Sequence, residues 1–263
     1  MNSMTLLVWI IVFSLIGGVL SVLAAGLFLL LPERQRARLL PHAVSFAIGA
    51  LLGAAFLALL PHAIEGEGVT DVHHITMTVL FGILGFFLLE KMVLWRHCHS
   101  SHCEAHGIEH VHDRNAAAGH LILIGDGIHN FVDGILIAAA FLTDIHLGVV
   151  TALAVAAHEI PQEVGDFAIL LHSGFSRARA LMFNLLSSLT TVIGALLAYF
   201  SLSGLEQVVP FILAIAAASF IYIAVADLIP GLHRRLHMEA TAQQMALIGA
   251  GIAVIFFAHS TLH

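Results

Sequence analysis

The stretch A-H-E-I-P-Q-E-V-G-D-F-A-I-L-L, from Ala157 to Leu171, decides the reading of this chain, together with G-D-G-I-H-N-F-V-D-G from Gly125 to Gly134. Each lies inside a long apolar segment. Between them they nevertheless carry Asp126, His129, Asn130, Asp133, His158, Glu159, Gln162, Glu163 and Asp166. Residues three and four apart share a helix face. Asp126, His129, Asn130 and Asp133 therefore stack on one side of the first segment. His158 with Gln162, and Glu159 with Glu163 and Asp166, do the same on the second. An ionised side chain at the centre of a bilayer costs roughly 2.5–3.5 kcal/mol. The five carboxylates of these segments would cost on the order of 12–17 kcal/mol if nothing offset them. Protons, water or a bound cation must do so.

The bilayer setting follows from composition. Of 263 residues, 59% are hydrophobic and only 10% are charged, where a soluble domain carries about 25% charged residues. The mean hydropathy is +0.98. The net charge of −7 then says little about soluble partners. The expected partners are the lipid bilayer and divalent metal ions, with no nucleic acid; a homodimer is kept open. The first apolar run, Met4 to Leu31, is far longer than the core of a cleavable signal and precedes an Arg-rich turn, so it reads as a retained span.

The pattern predicts an all-α polytopic membrane protein with eight transmembrane helices, at roughly 4–31, 43–63, 75–95, 118–143, 147–172, 180–202, 208–231 and 243–262. Gly17, Gly18, Gly49, Gly53, Gly82 and Gly85 are scattered through them and suit close helix packing. Most connections are short, so residues 1–263 form a single transmembrane domain, the exception being a segment at about 96–117. The basic residues give the sidedness. Arg34, Arg36, Arg38, Lys91, Arg96, Arg114, Arg177, Arg179, Arg234 and Arg235 are all ten Lys and Arg residues, and eight spans put every one on the same side. The opposite connections hold Glu65, Glu67, Asp71, Asp144 and Glu206. The positive-inside rule places both termini outside and the 96–117 segment in the cytoplasm; the expected location is the plasma (inner) membrane, as a multi-pass protein.

This topology sets the two polar motifs at matching depth. His129 lies about 11 residues, or roughly 16 Å, from one face, and His158 about as far from the other, near the middle of a hydrocarbon core ~30 Å thick. Pro161 cannot donate to the carbonyl of Ala157, which frees that oxygen beside His158 and Glu159. Imidazole, carboxylate and carboxamide together suit Zn(II), Fe(II) and Mn(II). No cysteine lies in a predicted span, which weighs against Cu(I). The bland alternative is a set of satisfied polar residues bridging helices; nine such groups on two adjacent spans argue against it. The 96–117 segment holds His97, His99, His102, His106, His110 and His112 with Cys98 and Cys103. In a reducing cytoplasm it reads as a flexible chelator without a zinc-finger pattern, or else as a solvated linker with incidental histidines.

H-N-F-V-D-G on the fourth span and H-E-I-P-Q-E-V-G-D-F-A-I-L-L on the fifth resemble the ZIP (Zrt-, Irt-like protein) divalent metal transporters, in particular the branch with a His-rich loop. L-L-P-H-A at Leu59 to Ala63, F-L-L-E-K at Phe87 to Lys91 and Y-I-A-V-A-D-L-I-P at Tyr222 to Pro230 are similar to that branch too. The resemblance implies uptake of zinc, with Fe(II), Mn(II) or Cd(II) as further cargo, and no cofactor. It implies a 3+2+3 arrangement, spans one to three being related to six to eight by an inverted repeat. It also implies a binuclear centre between spans four and five. Carried over by position, His129, Asp133, His158 and Gln162 line one metal site; Asn130, Glu159 and Gln162 line the second, with Glu163 close by. Gln162 stands where relatives often place His or Glu, and an amide is the weaker ligand. Ala54 and Ala58 replace the Asp and His often found on span two, and span six offers Asn184, Ser187, Ser188, Thr190 and Thr191 but no carboxylate.

Two other classes fit less well. A cation-diffusion exporter shares D-x-x-H-x-x-x-D, here Asp126 to Asp133, and a His-rich loop, but typically has six spans and a soluble C-terminal domain. An intramembrane metalloprotease needs H-E-x-x-H, and Gln162 replaces its second histidine. The chain is therefore read as a transporter and not an enzyme.

Overall fold

Helix is the only regular structure among the described residues, which are 3–98, 110–233 and 238–262 of a computed structural model. The helices are α1 (Ser3–Phe28), α2 (Glu33–Ile64), α3 (Val72–Cys98), α4 (His110–Thr143), α5 (Ile145–His172), α6 (Arg177–Leu202), α7 (Val209–Leu232) and α8 (Met238–Leu262). Seven of these eight, all but α5, are long and apolar enough among the described residues to cross a membrane. At 28 residues α5 is long enough. Its apolar content is diluted by His146, His158, Glu159, Gln162, Glu163, Asp166 and His172. The chain is a polytopic all-α membrane protein. His99, His102, Cys103, His106, Arg234 and Arg235 lie outside the described residues. Of the expected 96–117 segment, residues 96–98 belong to α3 and 110–117 to α4, and the rest lies outside the described residues.

Large apolar side chains point outward as well as inward, as a lipid solvent allows. Leu30, Phe81, Leu88, Phe200 and Phe257 are exposed. The interior is instead rich in small residues: Ala47, Ala50, Ala54, Ala55 and Ala58 on α2, Ala138 to Ala140 on α4, and Ala214 and Ala216 to Ala218 on α7 are all buried. With lipid as apolar as leucine, helices associate by close packing of such residues. The seam of α4 with α6 shows how close. A methyl group on Gly134 would collide with the Thr191 carbonyl, and one on Gly194 with that of Phe131. The expected packing glycines mostly behave so, since Gly18 lies against Ser188 and Thr191, Gly49 against Ile248, and Gly82 against Ala218. Gly85 is different: nothing lies within 4 Å of the side chain it lacks.

The pairing of helices has a regularity of its own. α2 packs along α8 and α3 along α7; α4 packs along α6 and α1 along α5. Exchanging one with six, two with seven, three with eight and four with five maps these pairs onto one another. α2 and α7 also share a backbone irregularity. Each widens into a π-helical turn, Ala54–Leu59 in α2 and Ile223–Leu228 in α7. Leu60 and Ile229 bond back five residues, to Ala55 and Ala224, and each is followed by a proline, Pro61 and Pro230. A proline removes the donor for the carbonyl four residues earlier, and a π turn is a common way to absorb such a change of register. No periodicity of apolar residues announces these turns.

α4 and α5 are joined by Asp144 alone. Its extended backbone breaks the helix, and its Oδ1 accepts from the backbone N–H groups of His146 (2.8 Å) and Leu147 (3.1 Å). An aspartate at this position caps the new helix and complements its dipole.

Candidate metal centre between the fourth and fifth helices

Helical spacing puts His129 and Asp133 four apart on α4, and His158 and Glu159 at one level of α5. The four converge. His129 Nε2 lies 3.2 Å from His158 Nε2 and 3.2 Å from Glu159 Oε1. His158 Nε2 lies 3.3 Å from Asp133 Oδ2 and 3.6 Å from Glu159 Oε1. One ligand atom from each of the four falls within 4.8 Å of every other. Asp133, His158 and Glu159 are buried, while His129 keeps a 23% exposed side chain. The two motifs thus meet at one depth, as their positions along oppositely directed spans require.

The tautomer of His158 is fixed. Its Nδ1 lies 3.1 Å from the carbonyl of Ala154. A carbonyl only accepts, so Nδ1 carries the hydrogen and the lone pair of the neutral ring is on Nε2, facing the other three groups. Metal-binding histidines are commonly set by such a second bond. Behind the ring stands Phe220 of α7, edge-on at 6.0 Å between centroids.

A second group lies beside the first. Oxygens of Asp126, Glu159 and Glu163 come within 4.8 Å of one another, all three residues being buried. Glu159 belongs to both groups. Asp126 is held by two partners: Ser187 Oγ of α6 donates to its Oδ2 at 2.5 Å, and Asn130 Nδ2 to its Oδ1 at 2.9 Å. Asn130 is oriented in turn by Thr191, whose hydroxyl donates to Asn130 Oδ1 at 2.8 Å. Asn130 therefore works here as a clamp on Asp126. Gln162 is half-buried one turn beyond His158.

The geometry adds detail to the expected set. Among the His, Asp and Glu side chains, Glu159 is the one that belongs to both groups. Asp126, absent from the expected ligand set, joins Glu159 and Glu163. The signal for it was present, since Asp126 stands four residues before Asn130 and seven before Asp133 on the same face. Ser187 and Thr191 of α6 donate hydrogen bonds to α4's side chains and Thr190 one to the Gly127 carbonyl, roles that only the packing of α4 on α6 reveals.

Six carboxylate oxygens here are buried without a hydrogen bond: both of Asp133, both of Glu159 and both of Glu163. Buried carboxylates are ordinarily paired, hydrogen-bonded or bound to metal. With neutral imidazoles the first group carries the charge of Asp133 and Glu159 only, which a single divalent cation neutralises.

The model of the ZIP zinc transporter family matches this chain over residues 4–115 and 95–259. The chain belongs to the ZIP family. Among curated members, the zinc transporter ZIP13 of Pongo abelii is 36% identical over 228 residues, which cover 82% of this chain and 66% of that protein. The ZIP13 homolog of Drosophila melanogaster is 30% identical over 311 aligned positions, covering 93% of this chain and 87% of that protein. Zinc transporter ZIP4 of Mus musculus is 33% identical, and the match spans 72% of this chain but 38% of ZIP4. Both polar motifs lie inside the ZIP match.

Proposed function

We propose that this chain carries a divalent metal ion, zinc foremost, into the cytoplasm through a binuclear site between α4 and α5. The observation that carries the reading is the buried convergence of His129, Asp133, His158 and Glu159, where imidazole nitrogens and carboxylate oxygens face one another within 4.8 Å. A cation offsets that arrangement better than water can, because His158 already directs a lone pair into it. The first metal site uses these four residues. The second uses Asp126, Glu159 and Glu163, with Asn130 positioning Asp126 and Gln162 a weak additional ligand. Imidazole and carboxylate admit Fe(II), Mn(II) and Cd(II) as further cargo. Proteolysis is disfavoured, since Gln162 occupies the place of the second histidine that a zinc protease needs.

The inward direction rests on the arginines, all of which border one set of helix ends. In this reading both termini are outside and the membrane is the plasma (inner) membrane. The exchange symmetry of the helix pairs, and the π turn before a proline in both α2 and α7, support a 3+2+3 inverted repeat with α4 and α5 between the halves. Radiotracer zinc flux into proteoliposomes, at several pH gradients, tests the proposal. Zinc should accumulate in vesicles whose lumen faces the arginine-rich ends; absence of flux in either orientation would overturn it.

A further inference from the structure

The outer side of the seam between α4 and α6 is not closed. A groove of about 550 Å3 runs along it, walled by Leu123, Ile124, Ile128 and Phe131 of α4 and by Phe183 and Leu186 of α6. Its volume falls within the range of about 300–1,000 Å3 usual for sites that hold a small molecule. Ile124, Ile128 and Leu186 are 60%, 55% and 54% exposed, so the groove opens outward from the bundle. Its floor is low because Gly127 has no side chain. The two hydroxyls of the lining are turned to other tasks. Ser187 Oγ donates to Asp126 Oδ2, and Thr190 Oγ1 donates to the Gly127 carbonyl at 2.6 Å. The groove therefore presents carbon to whatever fills it.

One end of the groove carries charge. Gly119 abuts Ser173 and Phe175, Gly127 faces Ser187 and Thr190, and Gly134 meets Thr191 and Ala195, so α4 and α6 run parallel. Their first turns lie at the same end. On α6 the lining is the stripe Phe183, Leu186, Ser187 and Thr190. Arg179 precedes Phe183 by four residues and continues that stripe, about 6 Å further along the axis. Arg177 begins the helix. Both arginines are exposed, and neither forms an ion pair among the described residues. Between them and the groove, the rings of Phe175 and Phe183 meet edge to face, with centroids 5.7 Å apart. Aromatic side chains gather at the level where lipid headgroups begin. The result is an apolar slot with a cationic mouth.

We propose that this groove binds an anionic phospholipid, with one acyl chain lying between α4 and α6 and the phosphate held by Arg179 and Arg177. Lipid surrounds exposed apolar helices, and the charge at the mouth selects among lipids by headgroup. Arginine suits the task, because its stem lies along apolar surface while the guanidinium reaches the interface. The alternative is ordinary lipid contact, with arginines that only set sidedness; it predicts no headgroup preference at this groove. Ser187 lines the groove and donates to Asp126. The bound chain thus packs on the residue that positions the second carboxylate group. The site uses no proposed cation ligand and does not rest on the transport reading.

The test uses the full-length protein in phosphatidylcholine vesicles. A trace of phosphatidylglycerol or of phosphatidylcholine carries a photoreactive diazirine on one acyl chain, and peptide mass spectrometry locates the label. The exposed face of α3 at Phe81 and Leu84 gives the level of non-specific contact. Relative to that level, phosphatidylglycerol should label residues 123–131 and 183–190 about fivefold or more above phosphatidylcholine. Arg179→Gln should reduce the preference by about fivefold, whereas Arg34→Gln, at an exposed arginine of α2, should leave it intact. Leu186→Trp, which fills the groove, should lower labelling of α4 by phosphatidylglycerol and spare α3. Equal labelling by the two lipids in the wild type would overturn the proposal. So would a preference that survives Arg177→Gln with Arg179→Gln, or one that Arg34→Gln removes as fully as Arg179→Gln does.

Discussion

Glu159 is the residue on which the two cation groups depend, because its carboxylate lies in both. Glu159→Gln should weaken zinc binding at both steps, where loss of a residue from one group alone would affect one. His158→Ala removes the ligand whose tautomer is already set, and should lower zinc affinity by ~100-fold or more, above the range seen for outer-sphere changes. Parallel measurement of zinc affinity and initial flux checks both; wild-type flux in His158→Ala would show the coordination to be wrong. Ser187 touches no proposed cation directly but donates to Asp126. Ser187→Ala should therefore cost about 10-fold in affinity at the second group, with the first unchanged. Two zinc-binding isotherms, for wild type and Ser187→Ala, separate the steps, and a change confined to the step that His158→Ala weakens would contradict the assignment.

At the level of helices, the seam between α4 and α6 holds the polar side chains Asp126 and Asn130 of α4 in place. Gly134→Ala would force a methyl group into the Thr191 carbonyl. Overpacking of this kind typically costs about 1–3 kcal/mol. It should lower the thermal midpoint in detergent, whereas Gly85→Ala, with open space around it, should leave the midpoint level or slightly raised. A midpoint for Gly134→Ala equal to wild type would mean that the seam is looser than described. The helices themselves were legible in the sequence, because twenty apolar residues have one stable form in lipid. Their close seams were only half legible: Gly49 and Gly82 serve as packing contacts while Gly85 does not, and which side of a helix meets a neighbour depends on its rotation. The central histidines and carboxylates could be read from spacing along α4 and α5. The support given by Ser187 and Thr191 could not, since it depends on α6, which lies some 60 residues away in sequence.

For the molecule as a whole, the distribution of arginines predicts sidedness. Single cysteines at Ser3 or Glu206, in a Cys98→Ser, Cys103→Ser background, should react with an impermeant thiol reagent applied to intact cells, and one at Arg177 should react only after permeabilisation. Reversed labelling would refute both the topology and uptake.

The single-residue joint at Asp144 has a mechanical consequence. α4 and α5 are two legs hung from one pivot, with His129 and His158 about fourteen residues along each leg, a lever arm of roughly 21 Å. Scissoring the legs by about 6° would part the two imidazoles by about 2 Å at that radius. That is enough to break a metal–nitrogen bond of about 2 Å. In the proposed site, a small angular stroke would thus be enough to open the grip on an ion while the capped joint at Asp144 stays closed.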